Sequence, residues 1–253
     1  INLKNNLKQG VYIYFMKKKY LIFGATGSIG SALAKKIYSE KKDCHLIGRN
    51  EDEIKKIASK YNYTYSICDV QKLNFMDSLD KDLSEFEILG VAYCVGSIDI
   101  KPFRRTQAKD FVSSYILNLV SAADIIRTLQ ENLKKNRGSV VLFSTVAAKK
   151  GFANHAIIAS AKAGVEGLTV SLAAELSPNI RINCISPSLT KSKMSNFLVK
   201  NEKNVEAITR LHPLKRLGEG HDAAALASFL LSEESSWITG QIIGVDGGRS
   251  SVA

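Results

Sequence analysis

Gly24-Ala25-Thr26-Gly27-Ser28-Ile29-Gly30 lies between an apolar run, Tyr20-Leu21-Ile22-Phe23, and a run with helical spacing, Ser31-Ala32-Leu33-Ala34-Lys35-Lys36-Ile37. A strand, a glycine turn and a helix in this order predict a cradle for a dinucleotide pyrophosphate. Gly24, Gly27 and Gly30 permit the tight turn, and Thr26, Ser28 and Ile29 place backbone N–H groups close to a phosphate at the positive end of the helix dipole. The chemistry here is anion binding rather than bond breaking. Cys44, Cys68, Cys94 and Cys184 are far apart, each in or beside an apolar run. That spacing suits buried reduced thiols rather than disulfides, and no metal site is expected.

The elements that must hold the turn alternate along the chain. Strand patterns at 44–48, 64–68, 88–95, 139–144, 181–186 and 241–245 are interleaved with helical patterns at 51–60, 108–135 and 156–176. Repeated β-α units of this length predict an α/β fold: a doubly wound parallel sheet (Rossmann fold) in three layers, as a single domain. Right-handed crossovers place the ligand crevice at the carboxyl ends of the strands.

With 45% apolar and 23% charged residues, the composition is that of a globular protein rather than a disordered one. No apolar run is expected to approach a membrane span. The net charge of +11 comes from lysines scattered over several helices without interleaved aromatics. It therefore predicts a solvated basic surface that attracts anionic substrates, not a nucleic-acid site. Residues 1–15 are rich in Asn and Lys and do not have the order of a signal peptide. They are expected to be a disordered or non-native extension, with Met16 the biological start, residues 16–253 the domain and the cytoplasm its location.

Several further stretches carry a family resemblance: Cys68-Asp69-Val70, Arg137-Gly138-Ser139-Val140-Val141, Ala161-Lys162-Ala163-Gly164-Val165-Glu166-Gly167-Leu168, Ser186-Pro187-Ser188, His212-Pro213-Leu214-Lys215-Arg216-Leu217-Gly218 and Trp237-Ile238-Thr239-Gly240-Gln241-Ile242-Ile243-Gly244-Val245-Asp246-Gly247-Gly248. Together with the glycine turn, from about Lys18 to Gly248, the chain resembles the short-chain dehydrogenase/reductase family in the compact form of the 3-oxoacyl-carrier-protein reductases. The resemblance implies a nicotinamide cofactor, with Asp69 at the adenine and Val70 at its ring edge. It also implies a homotetramer or homodimer built on the 108–135 and 156–176 helices. Tyr93-Cys94-Val95-Gly96 replaces the family's usual Asn-Asn-Ala-Gly, and Gly96 still lets the backbone approach the cofactor.

The second strand ends in Leu46-Ile47-Gly48-Arg49-Asn50. There is no carboxylate here for a free ribose 2′-hydroxyl, and Arg49 offers a 2′-phosphate a charge-assisted partner, so NADP(H) is expected over NAD(H). The family pattern places a general-acid Tyr four residues before a Lys on one helix face. Lys162 is present, but Ile158 stands where the Tyr belongs, and an aliphatic side chain neither gives nor takes a proton. The carbonyl-holding Ser position is Thr145, with Ser144 beside it, and Asn118 matches the helix Asn of the family's relay. Lys162, His155 or a water held by Thr145 and Asn118 could replace the missing acid.

Pro187, Ser188 and Ser192 fall where the family meets the nicotinamide, and residues 189–211 form the expected substrate lid. The leading expectation is an NADP(H)-dependent oxidoreductase acting on a small-molecule carbonyl or secondary alcohol. The alternative is a dinucleotide-binding protein with little or no catalysis, a sensor or silent partner.

Overall fold

The computed structural model describes residues 16–252, and the extension expected over 1–15 lies outside the described residues. Seven strands run in chain order: β1 (Lys17–Phe23), β2 (Cys44–Gly48), β3 (Thr64–Ile67), β4 (Phe86–Tyr93), β5 (Ser139–Phe143), β6 (Arg181–Pro187) and β7 (Ile242–Val245). They form one parallel sheet in the order β3-β2-β1-β4-β5-β6-β7. The order reverses between β1 and β4, and that reversal opens a crevice at the carboxyl ends of the strands.

The helices are α1 (Ser28–Ser39), α2 (Glu51–Tyr61), the single turn α3 (Asp80–Leu83), α4 (Ala108–Tyr115), α5 (Ser121–Lys135), α6 (Ala156–Leu176), α7 (Glu202–Arg210) and α8 (Gly220–Leu231). Alternate residues of each central strand face opposite layers, as the two-residue period of a strand requires. Leu21, Phe23, Val91, Tyr93, Val140 and Leu142 pack with Ile125, Ile126, Leu129 and Val165 on one side. Ile22, Leu46, Ala92, Val141 and Ile185 pack with Leu33, Ile37, Ala223, Ala227 and Leu230 on the other. Both faces are buried, so the strands read as continuous apolar runs.

Three differences from the sequence expectations have physical causes. The 108–135 helix is interrupted by a π-helical turn at Ile116–Val120, between α4 and α5. There Asn118 Nδ2 donates to the Ser114 carbonyl at 2.9 Å, and the Ser121 hydroxyl lies 2.8 Å from the Ile116 carbonyl. Side chains thus compete for carbonyls that an α-helix would use itself. The helix α8 was not expected, because Ala223 to Leu231 is apolar or small on every face, the exposed Ala225 included, and shows no amphipathic period. It opens on a capping box between Glu219 and Asp222. The third difference is α6, which is long and apolar enough to meet the length and composition of a membrane span. It packs instead beside β6 and carries Lys162 and Glu166 on its buried face.

Candidate active site

The carboxyl ends of β1, β2, β4, β5 and β6, with the segment after β7, surround one cavity of about 1160 Å³. At one end lie Thr26, Gly27, Ser28 and Ile29 of the glycine turn, with Arg49 and Glu53. The helix α1 starts at Gly27 with no side-chain cap and no acidic residue in its first turn. Its first N–H groups are therefore available to an anion. Gly24 has φ +75° and its Cβ would stand 2.9 Å from the Cys94 carbonyl carbon, while a Cβ on Gly30 would collide with the Gly24 carbonyl oxygen. These two glycines shape the turn without lining the cavity.

Arg49 is exposed at the rim and has no ion-pair partner among the described residues. Glu53, which the sequence reading did not single out, is paired to Lys193 of the lid at 2.5 Å, and that contact holds its carboxyl below the ordinary range. The lid is also tied to the turn, as the Ser28 hydroxyl donates to the Lys191 carbonyl at 2.9 Å. Asn50 caps α2 by accepting from the Glu53 N–H. Asp69 turns back on the Gln71 N–H at 3.1 Å, and Val70 packs into the core. None of these last three lines the cavity.

At the other end are Thr145, Ile158, Lys162, His155, Pro187, Ser188 and Ser192. Lys162 is 6% exposed, and its ammonium donates to the Phe143 carbonyl at 2.7 Å. Burial pushes its pKa down to about 8, against a small upward pull from Cys184 and Cys94. Thr145 accepts from the Ala147 N–H at 3.3 Å, which leaves its own proton without an acceptor among the described residues. Ser144 donates to the Glu166 carboxylate at 2.8 Å and is held against α6.

Asn118 lies outside the cavity wall, fully buried, and its Oδ1 has no partner among the described residues. A Cβ on Gly96 would stand 3.1 Å from that oxygen and 3.3 Å from Lys162 Nζ, so the glycine lets both polar groups converge behind the strand end. Ile158, 5% exposed, presents an aliphatic wall. His155 meets the Ala153 carbonyl at 2.7 Å and stands edge-on to Phe152. Ser192 is engaged with Ser195 at 3.1 Å. The cysteines are free thiols. Cys94 lines the cavity, and burial pushes its pKa up to about 12, so it stays protonated.

A family profile described as enoyl-(acyl carrier protein) reductase matches residues 24–250. The chain belongs to the short-chain dehydrogenase/reductase family. It is 32% identical over 236 residues to the 3-oxoacyl-[acyl-carrier-protein] reductase FabG of Rickettsia felis, covering 91% of this chain and 96% of that protein. It is 29% identical to dehydrogenase/reductase SDR family member 4 of Sus scrofa, covering 92% of this chain and 88% of that protein. Among solved structures, one described as ElxO with NADP bound superposes with a TM-score of 0.84 at 24% identity, covering 93% of this chain and all of that one. The superposition is a likeness of fold.

Proposed function

We propose that the chain is an NADP(H)-dependent oxidoreductase that exchanges a hydride with a carbonyl compound or secondary alcohol through a site without the family's tyrosine. The observation that carries the reading is that an uncapped helix N-terminus and the Lys162–Thr145 pair open on the same cavity. The residues present fit a dinucleotide: Gly24 and Gly30 keep the turn clear of side chains, and nothing acidic opposes phosphates in the first turn of α1. Thr26, Ser28 and Ile29 would hold the pyrophosphate, Arg49 the 2′-phosphate, and Pro187, Ser188 and Ser192 the nicotinamide end.

When bound, the nicotinamide supplies or accepts the hydride. Thr145 donates its free hydroxyl proton as a hydrogen bond to the substrate oxygen and polarises the carbonyl. Lys162, held in place by the Phe143 carbonyl, is the proton donor in reduction. Its lowered pKa makes the ammonium a workable acid near neutrality. Ile158 occupies the position four residues earlier, where the family places its acid.

A second reading, a dinucleotide-binding protein with little turnover, is favoured by Ile158 itself. Consumption of NADPH by the purified protein over a panel of ketones, aldehydes, quinones and 3-oxoacyl thioesters separates the two. Sustained turnover supports the enzyme. Binding without consumption, with Ile158→Tyr equally silent, supports the binder. We also propose a homodimer or homotetramer, because Val112, Ile116 and Val120 form an exposed apolar stripe on one helix face and Val170 is exposed on α6.

A further inference from the structure

Beyond the Lys162 and Thr145 end of the cavity wall stands a guanidinium that the proposed hydride chemistry does not use. Arg249 follows β7, lines the same cavity and is half-buried. Its guanidinium carbon lies 4.6 Å from the centre of the Phe152 ring, a cation–π contact that fixes the plane of the fork. Nη1 donates to Ser188 Oγ at 3.2 Å. The Ser188 hydroxyl in turn donates to His212 Nε2 at 2.8 Å, and His212 Nδ1 donates to the Ile208 carbonyl at 2.8 Å. This tautomer is the one in which each member of the chain has both a donor and an acceptor. His212 is 1% exposed and Ser188 8%, so the arrangement is anchored in the interior.

No described residue forms an ion pair with this cation, and its other side-chain N–H groups have no acceptor among the described residues. The nearby Asp246 directs its carboxylate to the Gly248 and Ser250 N–H groups, both at 2.9 Å, and to the Ser250 hydroxyl. Burial lowers the Arg249 pKa, with Asp246 opposing. A charged fork held in place, partly desolvated and mostly without acceptors is a site for a planar anion. Apolar side chains share the cavity wall with it: Phe152, Ile158, Met194, Leu198 and Ile208.

We propose that Arg249 anchors a carboxylate on the substrate, so that the site takes oxo acids with an aliphatic or aromatic body, and the corresponding hydroxy acids in the reverse direction. The assignment rests on the oxidoreductase reading above for the fate of the carbonyl. The carboxylate takes no part in the bond changes and serves to orient the carbonyl towards Thr145.

The test is calorimetric titration of the purified protein, with and without saturating NADP+, using 2-oxohexanoate, 5-oxohexanoate and the methyl ester of each. At least one acid is expected to bind roughly tenfold or more tightly than its ester, the scale of hydrogen bonds to a charged group. Arg249→Met should abolish that preference and leave NADP+ affinity unchanged, while Arg249→Lys should retain part of it. Melting curves of both variants check that each is folded. Equal affinity for acid and ester, no binding of either acid, or a preference that survives in Arg249→Met overturns the anchor. Failure of NADP+ to bind sinks the dinucleotide reading instead, and the preference for acid over ester on the dinucleotide-free protein still decides the role of Arg249.

Discussion

An ammonium whose one acceptor among the described residues is a backbone carbonyl is poorly stabilised, and Lys162 is in that position. If it is the acid, the rate of carbonyl reduction falls as pH rises through about 8, where the proton is lost. Initial rates between about pH 6 and 10 check this, and Lys162→Met should lower turnover by about 100-fold or more. Stability moves the other way. The folded-state pKa lies below the ordinary value of 10.5, so between about 8 and 10.5 the unfolded chain binds more protons than the folded protein. Lys162 therefore contributes a gain in stability with rising pH across that window, and Lys162→Met should lack it in denaturant titrations.

Arg49 invites a simpler experiment. Arg49→Ala should weaken NADPH binding by about tenfold to 100-fold and leave NADH binding nearly unchanged, because only the 2′-phosphate distinguishes the two cofactors. Cofactor fluorescence titration reads both. Thr145 and Lys162 were expected from the family resemblance and Arg49 from the end of the second strand, and all three line the cavity. Arg249 and Glu53 were not expected, since only the folded chain brings the segment after β7 and the first turn of α2 to the same cavity.

At the scale of elements, close backbone approach governs the glycine turn. Gly30→Ala would drive a methyl into the Gly24 carbonyl and to 2.9 Å from Ala25 Cα, in backbone that cannot swing aside. A loss of about 2 kcal/mol in denaturant unfolding is expected, together with loss of dinucleotide affinity. At the opposite end of the sheet, β1, β2 and β3 share a buried polar cluster. His45 meets Thr64 and Ser66 at 2.8 Å each, and Lys19 donates to Thr64 at 3.0 Å. Burial first, then Lys19, pushes His45 down to about 4. The folded protein thus resists a proton that the unfolded chain accepts, and stability falls as pH drops from about 6.5 towards 4. His45→Gln should flatten that slope in acid-unfolding curves. The sequence located β2 and α6 to the residue, because a short strand-like run and a long apolar helix pattern were visible there. It missed α8, whose small residues Ala223, Ala224 and Ala227 are buried among their neighbours and leave no polar face to set a period. It missed the π turn because that interruption depends on where the Asn118 and Ser121 side chains point.

For the molecule as a whole, a doubly wound parallel sheet with helices on both faces could be read from repeated β-α units, since both faces of a parallel sheet must be covered, whereas the order of its strands is given by the structure alone. How many copies assemble was not legible, because an apolar stripe on a helix has the same pattern whether it meets a sheet or a second chain. Val112, Ile116 and Val120 are 56%, 37% and 52% exposed among the described residues. Sedimentation should find a dimer or tetramer, and Val112→Glu with Val120→Glu should shift it to the monomer. A monomeric wild-type protein would remove the interface.

The cavity also joins Thr26 to Arg249, residues from nearly opposite ends of the chain. At ribosomal speeds their synthesis is separated by on the order of ten seconds or more. The glycine turn is thus made well before the far wall, and before α8, whose Ala223, Ala227 and Leu230 cover Leu33 and Ile37 of α1. A ribosome-bound intermediate that has emerged past β4 holds the turn on a helix whose apolar face is still uncovered, and should bind nucleotide only weakly until α8 has emerged.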